Sequence, residues 1–128
     1  MMPKIMLLGL LMVLLAACGG NAAPTTTQPP AVTAVENYLR AKVAADKDAL
    51  RGWLCAEMEA DLDREALSFS GVDASIPTMT CTFDAANSTV ACDGAIEAVY
   101  NGESREIPLG VYKAIEEDGV WKWCGEAG

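Results

Sequence analysis

Apolar residues recur along this chain at two periods, and the change between them divides it into a helical part and a strand part. Val35, Leu39 and Val43 stand four apart, with Tyr38 and Lys42 flanking the stripe, as on one face of an α-helix. Thr33 and Glu36 have capping-box spacing, which predicts a helix start near Ala31 with the Thr33 hydroxyl on a first-turn amide. Asp46 interrupts this helix and can cap a second, whose apolar face is Leu50, Trp53 and Leu54 and which ends near Cys55. A third helix is predicted from Ala56 to about Ser70 on Met58, Leu62, Ala66 and Phe69. Glu57 and Glu59 suit the positive end of its dipole, and Gly71 stops it.

From Thr78 the period falls to two. Met79 to Phe83 reads as a strand, followed by a turn over Ala85 to Ser88. Val90, Cys92, Gly94, Ile96 and Ala98 then alternate with Ala91, Asp93, Ala95 and Glu97. Asn101-Gly102 is a two-residue hairpin signal. Folding about it sets residue 96 opposite 107 and 94 opposite 109, so Ile107, Leu109 and Val111 are expected on the face of Ile96 and Cys92. Asp118-Gly119 turns the chain again into Val120 to Cys124. Three helices followed by four antiparallel strands is an α+β order, with helices laid on one face of a curled sheet.

The start of the chain has a different character. After Lys4, Ile5 to Ala17 is almost wholly apolar, too short for a spanning helix of about 20 residues but suited to a signal peptide. Leu15-Ala16-Ala17-Cys18 resembles the lipobox of bacterial lipoproteins. That resemblance implies diacylglyceryl transfer to the Cys18 sulfur and cleavage between Ala17 and Cys18. A diacylglyceryl group supplies two chains, as stable attachment requires. The chain therefore divides into a signal peptide over 1–17, a lipidated cysteine and flexible Pro/Thr-rich linker over 18–30, and a domain over 31–128. The expected location is the extracytoplasmic face of a bacterial membrane. Gly19 is not an Asp-type retention signal, so a diderm host would allow outer-membrane sorting.

Cysteine counting agrees with export. Of five cysteines, Cys18 takes lipid and Cys55, Cys81, Cys92 and Cys124 remain, an even set that reads as a disulfide framework. A turn centred between Ala86 and Asn87 sets Cys81 opposite Cys92, within disulfide reach. By elimination Cys55 pairs with Cys124, although four cysteines allow three connectivities. A zinc site is disfavoured, since the chain has no CxxC pair and no His. Losing Lys4 takes the net charge from −9 to −10 on side chains alone, which argues against nucleic acid or an anionic surface as partner.

The three-helix start, the Ala45-Asp46-Lys47-Asp48 break and the Trp121-Lys122-Trp123 ending resemble the NTF2-like (cystatin-like) α+β roll. Several stretches are similar to a family of uncharacterised bacterial lipoproteins with four cysteines. They are Leu54-Cys55-Ala56-Glu57, Val90-Ala91-Cys92-Asp93-Gly94, Ala98-Val99-Tyr100-Asn101-Gly102-Glu103 and Trp123-Cys124-Gly125. The resemblance implies a roll of three N-terminal helices packed on a curved four-stranded sheet, and it bears on fold and location without assigning an activity.

Candidate chemistry is sparse. Without His, the commonest general base and the Ser/His and Cys/His nucleophile pairs are missing. Some NTF2-like enzymes place an Asp and a Tyr inside the cone; Tyr38, Tyr100, Tyr112, Asp73, Asp84 and Asp93 are available, but no motif assigns any of them that role. Trp53, Trp121, Trp123 and Tyr38 could line a pocket, although core packing is the favoured reading for a domain this small. The expected function is a non-enzymatic module that binds a small apolar ligand or an envelope protein without a cofactor. The alternatives are an enzyme with a cone-facing carboxylate and a purely structural envelope component. An enclosed pocket with a carboxylate facing Tyr would favour chemistry, whereas a cone filled by Trp and Leu would favour binding or scaffold work.

Overall fold

A computed structural model describes residues 28–128. The signal-peptide and lipidation sites, Ala17 and Cys18 included, lie outside the described residues. Helix α1 (Pro30–Val43) begins upstream of the capping box. Pro30 occupies the first helical turn, where its fixed φ and missing N–H cost nothing. The Pro29 carbonyl accepts from the Val32 and Thr33 amides, and no side chain caps this end. Thr33 is thus inside the helix and the capping box does not form. Starting at Pro30 lets Ala31 and Val32 join the buried face, which outweighs a cap of about 1 kcal/mol.

Ala45 takes a positive φ, and Asp46 caps α2 (Lys47–Trp53) by accepting from the Ala49 amide at 3.1 Å. The continuous third helix is corrected to a 3-10 segment (Ala56–Asp61) followed by the short α3 (Leu62–Leu67). No residue of the 3-10 segment is fully buried, and Met58, half-buried against the core, is its one apolar anchor, too little to hold an α-helical face there. Glu65 and Ala66 within α3, and Phe69 beyond it, do reach the interior.

The sheet has six strands: β1 (Asp73–Ser75), β2 (Met79–Asp84), β3 (Thr89–Tyr100), β4 (Glu103–Pro108), β5 (Val111–Glu117) and β6 (Val120–Glu126). All pairings between them are antiparallel. Strand β3 is the spine: β1 and β2 pair along one edge, β4 and β5 along the other, and β6 follows β5. The four expected strands are therefore present as four tracks, two of them broken. The short β1 was not expected.

The break between β4 and β5 corrects the register. Ile96 faces Ile107 as expected, but Ala91, not Cys92, faces Val111. Between these pairs, residues 92–94 of β3 oppose only Leu109 and Gly110, which is a bulge. It centres on Gly94, whose φ is +135° and where a Cβ would lie 2.4 Å from the Thr78 carbonyl oxygen. The one-residue slip turns Val111 outward and Tyr112 inward, opposite Val90. Ile107 keeps the predicted pairing but lies near the rim, 38% exposed.

Helix α1 lies across the concave face. Val35, Tyr38, Leu39, Leu50, Val90, Ala98, Ala114 and Trp123 are almost wholly buried between helices and sheet. Two disulfides close the structure, Cys81–Cys92 across β2 and β3 and Cys55–Cys124 between the end of α2 and β6.

Candidate functional site

The four aromatic residues considered for a pocket separate into two pairs. Trp123 projects from β6 into the interior and stacks on Tyr38 of α1, ring centroids 3.8 Å apart and planes within 7°. Its indole N–H is buried without a hydrogen-bond partner among the described residues. The Tyr38 hydroxyl donates to Glu65 Oε2 at 2.5 Å, and the Lys42 ammonium lies 2.9 Å from the same oxygen. Arg64 approaches the other oxygen at 3.6 Å.

Burial pushes the Glu65 carboxyl up, but its bonds to Tyr38 and Lys42 prevail and hold it below the usual carboxylate range. Burial, reinforced by the Glu65 charge, pushes the Tyr38 hydroxyl far above an ordinary tyrosine. A carboxylate does face a tyrosine, then, but with Trp123 stacked against the tyrosine ring and Lys42 on the same carboxylate oxygen. A depressed carboxyl is a weak base near neutral pH, and a strongly raised tyrosine is a weak acid. Sequence reasoning missed Glu65 because it sits in the run Asp61, Asp63, Glu65, which reads as a solvated helix face. Its one signal is helical spacing: Glu65 stands three residues after Leu62 and four before Phe69, both of which pack inward.

The other pair, Trp53 and Trp121, is half-buried and opens onto one groove at the surface. Gln28, Pro30 and Thr33 at the start of α1, Trp53 at the end of α2, and Gly119, Val120 and Trp121 at the β5–β6 turn line an open groove of about 390 Å3. None of these lining residues is charged. Asp118 and Gly119 both take positive φ, the requirement of a tight type I′ hairpin, and this turn sets Val120 on the rim with 48% of its surface exposed. Phe83 of β2 packs edge-on against Trp121 at 5.3 Å. The Lys122 ammonium donates to the Gly52 carbonyl at 2.5 Å, and the Cys55 amide donates to the Trp123 carbonyl at 2.9 Å. These two bonds tie the end of α2, and with it Trp53, to β6. Two indoles, a valine and a proline beside one amide and one hydroxyl can hold hydrocarbon and orient one polar end.

The remaining site residues are structural. Glu57 lies 3.8 Å from Cys124 Sγ, but both sulfurs of that cluster are bonded to each other, leaving one carboxylate for any cation.

A designation Rd1NTF2_05, carrying five substitutions, belongs to one solved structure that this chain resembles. The TM-score is 0.55 at 18% identity, over 77% of this chain and 96% of the other. The fold is NTF2-like. A second structure, assigned as a ketosteroid isomerase from Shewanella frigidimarina, superposes on the same NTF2-like roll with a TM-score of 0.52. It is 15% identical, over 75% of this chain and 91% of the other. Identities this low carry the fold alone. No protein-family model matches the chain, and no curated protein does.

Proposed function

We propose that this chain is a lipid-anchored bacterial lipoprotein whose NTF2-like domain is a non-enzymatic binding module for a small apolar ligand, displayed on the extracytoplasmic membrane face. The anchor rests on Leu15-Ala16-Ala17-Cys18, the apolar leader before it and the even cysteine set after it. The observation that carries the binding role is the division of the aromatics. Tyr38 and Trp123 fill the interior with Leu39 and Leu50, while Trp53 and Trp121 stand with Val120 in a groove open to solvent. A groove of about 390 Å3 lies within the range of small-molecule sites, about 300–1,000 Å3.

Two measurements test the proposal. Intact mass of the mature protein should correspond to a chain starting at Cys18 with a diacylglyceryl group; an unmodified chain starting at Met1 overturns the anchor. The unlipidated chain from residue 19 should bind Nile red saturably, with Trp121→Ala weakening it about tenfold, near 1.4 kcal/mol. Glu65→Gln should leave binding unchanged. Weakening by Glu65→Gln as large as by Trp121→Ala would move the ligand to the interior and revive an acid/base role for Glu65.

A further inference from the structure

The tether and the groove meet at one place. Gln28 and Pro30, which line the groove, stand at the entry to α1, and Gln28 is ten residues after Cys18. We propose that the groove is the membrane-facing side of the domain and that its ligand is an acyl chain of a bilayer phospholipid. The inference rests on the lipid anchor and on ligand binding in this groove.

Reach comes first. Ten residues span at most about 35 Å, whatever their conformation. A groove mouth at the root of such a tether stays within that distance of the headgroups. Any face on the opposite side of the domain is farther by the domain's own thickness, about 25 Å for a domain of this size.

Chemistry narrows the ligand. A site with no charged residue cannot pair with a phosphate or an ammonium, so it selects for the hydrocarbon of a lipid and leaves its headgroup outside. Gln28 and Thr33 supply a side-chain amide and a hydroxyl, groups that suit an ester linkage at the groove mouth. Tryptophan is also the residue most at home at the boundary between acyl chains and water. Charge narrows the membrane. The chain beyond the signal carries a net −10, so anionic leaflets repel the domain and the interaction is apolar, favoured on a zwitterionic surface.

The experiment uses the mature lipidated protein in phosphatidylcholine vesicles whose acyl chains are brominated, because bromine quenches indole only on contact. The proposal expects flotation with the vesicles and roughly a two-thirds loss of tryptophan emission, the share of the two groove indoles, Trp53 and Trp121, among three. Val120→Asp should float equally well and recover most of that emission, since a carboxylate on the rim excludes hydrocarbon. Adding phosphatidylglycerol should reduce quenching, and raising the salt should restore it. Protein that does not float removes the anchor and overturns the inference with it. Protein that floats unquenched, while the unlipidated chain binds Nile red in a Trp121-dependent way, overturns the acyl-chain assignment alone. Floating unquenched without Nile red binding overturns the groove as a ligand site altogether. Quenching that Val120→Asp leaves intact places the contact outside the groove and equally overturns the proposal.

Discussion

At the residue scale the most consequential side chain is Glu65, because an ionised carboxylate has been placed almost out of solvent. Burial of a charge is tolerated only with partners, and here Tyr38 and Lys42 converge on one oxygen. The Glu65 carboxyl is held below its unfolded value, so it adds stability above the ordinary carboxylate range, and that stability is lost as pH falls through the depressed folded value. For Tyr38, and less strongly Tyr112, burial raises the hydroxyl, so the folded state keeps a proton that the unfolded chain releases above about pH 10. Stability should therefore fall at both ends of the scale. Glu65→Gln should cost about 2–4 kcal/mol at pH 7, below the usual loss for a broken buried pair because Lys42 still reaches water. It should also flatten the acid limb of urea midpoint against pH. Tyr38→Phe should flatten the alkaline limb and cost about 1–3 kcal/mol through the unmet carboxylate. An acid limb unchanged in Glu65→Gln would mean that the carboxylate is not held by these partners. Apart from the helical spacing of Glu65, none of this is readable in the sequence. An acidic run looks solvated until the packing of α3 against α1 singles out one member of it.

At the element scale the bulge on β3 separates what alternation could foresee from what it could not. Alternation and the two Gly-containing turns place β3, β4 and β6 and fix the pairing of Ile96 with Ile107. They count residues, however, and a bulge inserts one without changing the pattern of residue types, so the count points Val111 inward where the sheet turns it out. The only trace is Gly94, an inward position in the count with no side chain to bury. Its φ of +135° and the Thr78 carbonyl against its missing Cβ explain the glycine. Gly94→Ala should destabilise by about 2–4 kcal/mol, from backbone strain added to a clash that neither strand can relieve cheaply. Gly110→Ala, which meets nothing within 4 Å, should cost under about 1 kcal/mol. Equal losses in chemical denaturation would place the strain elsewhere. The helices show the complementary failure. Thr33 and Asp46 both carry capping signals, and only Asp46 caps, since burial of Ala31 and Val32 carries α1 past Thr33.

At the scale of the whole molecule the two disulfides act on different things. Cys81 and Cys92 are 11 residues apart within one hairpin, and the turn count makes them neighbours before any tertiary contact forms. Cys55 and Cys124 are 69 apart and join the helical layer to the last strand. Loop-closure entropy in the unfolded chain gives about 3 kcal/mol for the short bridge and about 4 kcal/mol for the long one. That modest difference in stability should accompany a larger one in function. Trp53 is held near Val120 and Trp121 by the Cys55–Cys124 bridge, the Cys55 amide on Trp123 and Lys122 on Gly52. Replacing Cys55 and Cys124 by Ala should therefore lower the thermal midpoint and also weaken Nile red binding several-fold at a temperature where the domain is still folded. Replacing Cys81 and Cys92 should lower the midpoint with little change in binding, because neither cysteine lines the groove. Titrating with reductant offers the same comparison without mutation. Loss of binding that tracks the hairpin bridge would show that Trp121 is held through Phe83 and β2, not by the closure of the two layers at Cys55.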